Sequence, residues 1–226
     1  MTAHALQRNI AVAALPTMRL VAGNKLSADD IYPRVFEAIL EQRIVPASRF
    51  TEESLAQSFG VSRSVIRRVL ARLAEQHVII LRPNLRAQVA APDARQVQHI
   101  LEARRLMEVT VVQLACTHAT PPHVRQLREL IARQREADER NQPGAAIRLS
   151  GEFHMVLASI AGNGPLAQFL NSLVPLTALV IAQRGHLASD WREQLHIVEA
   201  LECGDAGAAI TSMTRHLDHL QAVLSR

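Results

Sequence analysis

Cysteine is scarce in this chain, and so are aromatic residues and long apolar runs. Only Cys116 and Cys203 occur, with no CxxC pair between them. Neither a disulfide framework nor a thiolate zinc site is expected, and both cysteines read as reduced core thiols. The longest apolar runs, 10–15 and 173–182, fall well short of the roughly 20 residues that cross a bilayer, so no membrane span is expected. The N-terminus has a lone Arg8 ahead of a short apolar stretch ended by Pro16, too little for the apolar region of a secretory signal, and the protein reads as cytoplasmic. Local signatures of catalysis are missing too. There is no GxSxG elbow, Walker loop, GxGxxG after a strand or HExxH, so an enzyme is not expected.

What is there suffices to fold. Of 226 residues, 48% are hydrophobic and 20% charged, enough for one sizeable core or two modest ones. The net charge of +4 is unevenly placed: residues 1–92 hold 12 Lys and Arg against 7 Asp and Glu, and residues 93–226 hold 13 against 14. Within 61–86 the excess concentrates, with Arg63, Arg67, Arg68, Arg72, Arg82 and Arg86 facing only Glu75. Such a field suits a polyanion, although a solvated helix face with arginines for solubility would read the same by charge alone.

Local patterning separates these readings. Ser27 with Asp30 caps a helix whose apolar stripe is Val35, Ile39 and Leu40, running to about Gln42, with Pro33 fitting only its first turn. Thr51 caps a second helix, with Leu55 and Phe59 inward and Gly60 as its stop. Ser62 caps a third, in which Val65, Ile66, Val69, Leu70 and Leu73 recur at helical spacing while the arginines fall on other faces. Two helices joined by Gly60-Val61-Ser62 make a helix-turn-helix. Beyond it, 78–81 and 87–90 read as a two-stranded hairpin with a basic turn, a wing.

A recognition helix enters the major groove by its N-terminal residues. Arg63 and Arg67, one turn apart there, can bind guanine O6 and N7 bidentately, and the hydroxyls of Ser62 and Ser64 suit phosphate oxygens. Arg82, Asn84 and Arg86 on the wing are placed for the flanking backbone or the minor groove. Arg68 and Arg72 read as surface or phosphate-steering charges.

From Asp93 onward six helical segments follow, near 93–118, 121–140, 144–161, 165–184, 190–202 and 205–225, divided by Pro and Gly signals. Pro175 is expected to kink the fourth. The fold class is therefore mostly α: an N-terminal winged helix-turn-helix at 27–92, an all-α antiparallel bundle at 93–226, and an N-terminal extension at 1–26 with no assigned role.

The stretch 49–67, with Arg72-Leu73 and Arg82-Pro83-Asn84 after it, resembles the winged helix of GntR-family transcription regulators. Arg104 with Leu106-Met107-Glu108, Phe153-His154 before Ala161-Gly162-Asn163, and Gly204-Asp205-Ala206 with His216-Leu217 resemble the FCD effector domain of the FadR-like branch. The resemblance covers roughly 30–226 and implies a homodimeric, one-component regulator, in most relatives a repressor, that binds double-stranded operator DNA. Its C-terminal domain would bind a small organic acid.

Two positions depart from the family pattern. Arg86 stands at the wing tip, where the family usually has glycine. Many FCD domains hold a divalent ion (Zn, Mn or Ni) with one aspartate and three histidines, and the matching positions here read Ser150, His154, Gln194 and His216. His154 and His216 are the remaining candidate metal ligands, and the serine and glutamine are poor substitutes. By the same resemblance Arg104, His154, Gln194 and His216 face inward as effector contacts. Arg104 is either satisfied by Glu108 one turn on or held for a ligand carboxylate, and Gln194 could bond a ligand directly or through water. His196 would reach the pocket only after a small helix rotation, and His219 reads as surface. The alternative function is a DNA-binding regulator with no working effector pocket.

Overall fold

The computed structural model describes residues 26–45, 49–82, 85–185 and 191–224; Asn84 and the extension at 1–25 lie outside them. Ser27 opens the first helix by a reciprocal cap, its Oγ accepting from the Asp30 N–H while Asp30 Oδ2 accepts from the Ser27 N–H at 2.8 Å. Helix α1 (Ala28–Leu40) buries Ile31, Val35, Phe36 and Ile39 on one face. Pro33 does not sit in its first turn as the sequence suggested. It is the sixth helical residue, where its missing N–H leaves the Asp29 carbonyl without a helical donor.

Thr51 and Ser54 cap α2 (Glu52–Phe59) in the same reciprocal manner, and Gly60 ends it at φ 65°, a left-handed conformation that glycine adopts without penalty. Ser62 caps α3 (Arg63–Glu75), which buries Val65, Ile66, Val69, Leu70 and Leu73. The sheet has three strands rather than two. The order is β1-β3-β2, all antiparallel, with β1 (Arg49–Phe50), β2 (Ile79–Ile80) and β3 (Ala87–Val89). The extra strand is two residues long, too short to show alternation in sequence.

Helices α4 (Ala94–His118), α5 (Pro121–Glu139), α6 (Pro143–Ile160), α7 (Gly164–Arg184), α8 (Trp191–Glu202) and α9 (Ala206–Leu224) form the bundle. Asp93 and Gln96 cap α4 reciprocally, and the Asp205 carboxylate accepts from the Ala208 N–H at 2.9 Å. Helix α4 packs along α6, α7 and α9, while α5 packs along α6 and α8. Among the described residues only α7 is long and apolar enough, by length and composition, to cross a membrane. It instead runs through the protein interior, burying Leu170, Val174 and Leu179 among others. Cys116 is half-buried, and Cys203 is exposed in the turn after α8 rather than a core thiol.

No gap separates the winged domain from the bundle. The core of α1, α2, α3 and the sheet continues into Ile147 of α6 and Leu176, Ala178, Leu179 and Ala182 of α7. Burial of each large aliphatic side chain there contributes about 1.5–3 kcal/mol. Polar bonds fix the register across this seam. Tyr32 Oη donates to Gln76 Oε1 at 2.7 Å, Gln76 Nε2 donates to Asn171 Oδ1 at 3.2 Å, and Arg148 Nε donates to Glu37 Oε1 at 2.8 Å.

Candidate nucleic-acid interface and effector pocket

The N-terminal end of α3 presents Ser62, Arg63, Ser64, Arg67 and Arg68 to solvent together. Burial of Val65, Ile66 and Val69 on the opposite face forces this, because residues three and four apart share a helix side. Ser62 Oγ is engaged by the Val65 N–H at 3.4 Å and by Ser64 Oγ at 2.9 Å, so these hydroxyls shape the helix start as well as facing outward. Arg82 and Arg86, on the wing, are also exposed. Arg72 points the other way, its guanidinium 3.8 Å from the Tyr32 ring centroid and 3.3 Å from Asp29 Oδ1, tying α3 to α1.

Sequence reading passed over Glu52. Arg67 donates to its carboxylate through Nε at 2.9 Å and Nη2 at 2.8 Å, and Arg63 Nη2 lies 3.8 Å away. These arginine bonds hold the Glu52 carboxyl below the usual carboxylate range. One carboxylate of α2 thus binds Arg67 by two hydrogen bonds and pairs at longer range with Arg63.

Within the bundle, α4, α6, α7, α8 and α9 enclose a cavity of about 590 Å³ of empty space, its open mouth included. Its polar wall is Arg104, Ser150, His154, Glu193, His216 and His219, and the rest is aliphatic, with Ile147, Val174 and Leu220 among the lining. The structure thus brings three of the four expected effector residues together. Gln194 is not in the wall. It is fully buried, and its Nε2 donates to Ser150 Oγ at 2.9 Å, so it reaches the cavity only through Ser150. His196 is exposed and bonds Arg215 at 3.1 Å, away from the cavity. His219 stands at the cavity edge rather than on plain surface, and Glu193 was not anticipated. The clue was the i, i+3 spacing of His216 and His219, which puts two imidazoles on one helix face in need of a shared acceptor.

The polar groups form a chain. Arg104 Nε donates to Glu108 Oε1 at 2.6 Å, with both side chains almost wholly buried, and Glu108 Oε2 accepts from His154 Nδ1. The His154 ring stacks on that of His216, centroids 5.2 Å apart at 25°. His216 Nδ1 then donates to Glu193 Oε2 at 2.8 Å, and His219 Nδ1 donates to Glu193 Oε1 at 3.2 Å. Because an ionised carboxylate only accepts, each of these imidazoles carries its proton on Nδ1. Burial raises the Glu108 carboxyl, but the adjacent Arg104 charge and then His154 outweigh it and hold it down to about 2. Burial lowers His154 to about 4, so it is neutral near pH 7 and presents Nε2 as an acceptor. Glu193 is likewise raised by burial but lowered on balance by the bonds and charge of His216 and His219. One donor stays unmatched: Arg104 Nη2 is buried with no hydrogen-bond partner.

The divalent ion implied by the family resemblance does not fit these residues. Ser150 and Gln194, at two of the four ligand positions, bond each other, the Gln194 Nε2 donating to Ser150 Oγ, while the buried Gln194 Oε1 has no hydrogen-bond partner. The His154 and His216 rings stack with centroids 5.2 Å apart, and the Nδ1 of each is taken by a carboxylate. Among the described residues no group of three or more His, Cys, Asp or Glu is placed to hold a metal.

A winged helix-turn-helix with an exposed arginine pair and a basic wing, built onto a helical bundle that holds a cavity with one polar wall, is the architecture of a DNA-binding regulator. Comparison with known proteins agrees. The model of the gntR family of bacterial regulatory proteins matches residues 27–89, and that of the FCD domain matches 99–219. The HTH-type transcriptional repressor RspR of Escherichia coli K12 is 29% identical over 198 residues, covering 84% of this chain and 85% of that protein. The Nta operon transcriptional regulator of Aminobacter aminovorans is 26% identical over 194 residues, 79% and 87% of the two chains. The solved structure of E. coli McbR/YncC superposes with a TM-score of 0.69 over 87% of this chain and 96% of that one, at 17% identity, a likeness of fold. The chain belongs to the FCD-bearing regulators of the GntR family, and is a DNA-binding transcription regulator rather than an enzyme.

Proposed function

We propose that this regulator is a homodimeric operator-binding repressor relieved or engaged by a small organic acid, whose carboxylate docks on Arg104 in the bundle cavity. The carrying observation is the buried, unpartnered Nη2 of Arg104 in the cavity wall. Leaving such a donor unmatched is costly, and a carboxylate bonded to a guanidinium makes the stronger, charge-assisted kind of hydrogen bond. On the DNA side, Arg63 and Arg67 read bases while Ser62, Ser64, Arg82 and Arg86 contact backbone. The repressor assignment is supported by similarity to a relative named as a repressor. Dimerisation would cover Leu106 and Phe169, large apolar side chains of the bundle that stand exposed.

The route from cavity to DNA lies in the seam. Gly151, Val174 and Ala178 line the effector cavity and also the groove between α1, α3 and the bundle, where Tyr32, Arg72 and Gln76 lie. A ligand that repositions Val174 or Ala178 displaces the packing on which α1 rests, and operator DNA must alter acid affinity by the same factor. The test pairs a thermal-shift screen of small carboxylates with anisotropy on duplexes selected by the protein from random DNA. An acid that stabilises the protein and changes duplex affinity, both effects lost in Arg104→Lys, which keeps the charge that balances Glu108 but not the free guanidinium donor, is the expected result. Duplex binding with no response to any acid would leave a DNA-binding regulator without a working pocket.

A further inference from the structure

We propose that the cavity selects a zwitterion, an α-amino acid with an aliphatic side chain, with its carboxylate on Arg104 and its ammonium on the Glu193 side. This rests on the reading of the cavity as a carboxylate site and narrows the ligand's chemical class. The polar chain is bipolar: Arg104 stands at one end, Glu193 at the other, and the stacked His154–His216 pair lies between. The Arg104 charge already has a counter-ion in Glu108, so the carboxylate that faces the cavity is Glu193, whose partners are the imidazoles of His216 and His219.

A plain carboxylic acid would put a second negative charge into that partly buried space. An amino acid adds none and supplies the matching cation. Donor counting agrees. The Nδ1 protons of His154, His216 and His219 are all committed to carboxylates, so none of the three offers a ligand its Nδ1 hydrogen. Glu193 spends two of its roughly four acceptor positions on these histidines, leaving room for an ammonium. A ligand that brings hydrogen-bond donors besides its carboxylate can use the free acceptor positions of this wall. The remaining surface, from Ile147 through Val174 to Leu220 and Val223, is aliphatic and suits a branched apolar side chain.

The experiment titrates the full-length protein with leucine, leucic acid and isocaproic acid, which share one carbon skeleton and differ in carrying an amino group, a hydroxyl or hydrogen beside the carboxylate. Calorimetry and thermal shift are read for the native protein and for Glu193→Gln, whose unliganded melting is checked first. Leucine is expected to bind at least about tenfold more tightly than either analogue, with that preference collapsing in Glu193→Gln. Equal or tighter binding of isocaproic acid would overturn the zwitterion while leaving the carboxylate site standing. Tightest binding of leucic acid would overturn it in favour of a hydroxy acid. If none of the three binds and a wider panel of acids and amino acids is also silent, the carboxylate reading fails and this inference with it.

Discussion

Replacing Glu108 with glutamine should destabilise the protein far more than any surface change of equal size. Arg104 is 3% exposed and Glu108 1% exposed, so neither charge is solvated by water. Glutamine keeps the volume but removes the charge that balances Arg104, and its amide places a donor against either Arg104 Nε or His154 Nδ1, both of which now donate to the carboxylate. Breaking a buried pair by removing one partner costs about 3–5 kcal/mol. For a chain of this size that corresponds to a fall in Tm of roughly 10 °C. The assay is urea unfolding at pH 7, comparing midpoints at unchanged slope. Arg104→Met combined with Glu108→Leu should recover part of that loss, because it removes both charges and fills the space with apolar atoms while leaving the buried His154 Nδ1 without its acceptor. A Glu108→Gln variant within about 1 kcal/mol of the native protein would refute the reasoning, since Arg104 would then have another counter-ion or a path to water.

Other outcomes follow from the same geometry. Arg63→Ala and Arg67→Ala should each weaken binding to the selected duplex roughly 10- to 100-fold with unfolding midpoints unchanged, and unaltered anisotropy curves would remove them from the interface. Glu52→Gln frees both arginines from their carboxylate, so binding to random duplex should tighten by up to about fivefold and fall more steeply with salt; a weaker complex would show that Glu52 orients Arg67 on DNA instead of competing with it. Stability should decline as the pH drops from 6.5 to about 4, because the unfolded chain takes up a proton on His154 that the folded chain refuses. Glu108 contributes stability above 4.5 that is lost as the pH falls toward about 2. Urea midpoints measured across this range check both, and His154→Asn should flatten the upper arm; a native profile level between pH 6.5 and 4 would contradict the burial of a neutral His154.

How much of this was legible in the sequence depended on the distance over which each feature is determined. The helices of the winged domain and the bundle were readable because their signals are local: caps at Ser27 with Asp30, Thr51 and Ser62, Pro and Gly breaks between the bundle helices, and apolar residues at helical spacing in α3. Strand β1 was not, since two residues pair with β3 only after the chain has closed on itself. Pro33 misled because the penalty for an interior proline is one carbonyl and a local clash, which α1 offsets by burying its whole apolar face.

The functional surfaces follow the same rule at longer range. Arg63 and Arg67 could be nominated from their place at a helix start, but their partner Glu52 belongs to another helix and no local pattern joins them. In the bundle, a resemblance nominated Arg104, His154 and His216, and Gln194 followed by position alone. The fold turned Gln194 toward Ser150 and set Glu193, its neighbour, into the cavity wall, since adjacent residues on a helix point about 100° apart. That one-residue difference changes the chemistry. A neutral amide at the wall would complete an anion site, whereas a carboxylate bonded by two histidines gives the cavity a second, opposite pole. The charge of the cavity wall is therefore set by which of two successive side chains faces inward, a matter of helix rotation that the packing of α8 against α9, α5 and α4 determines.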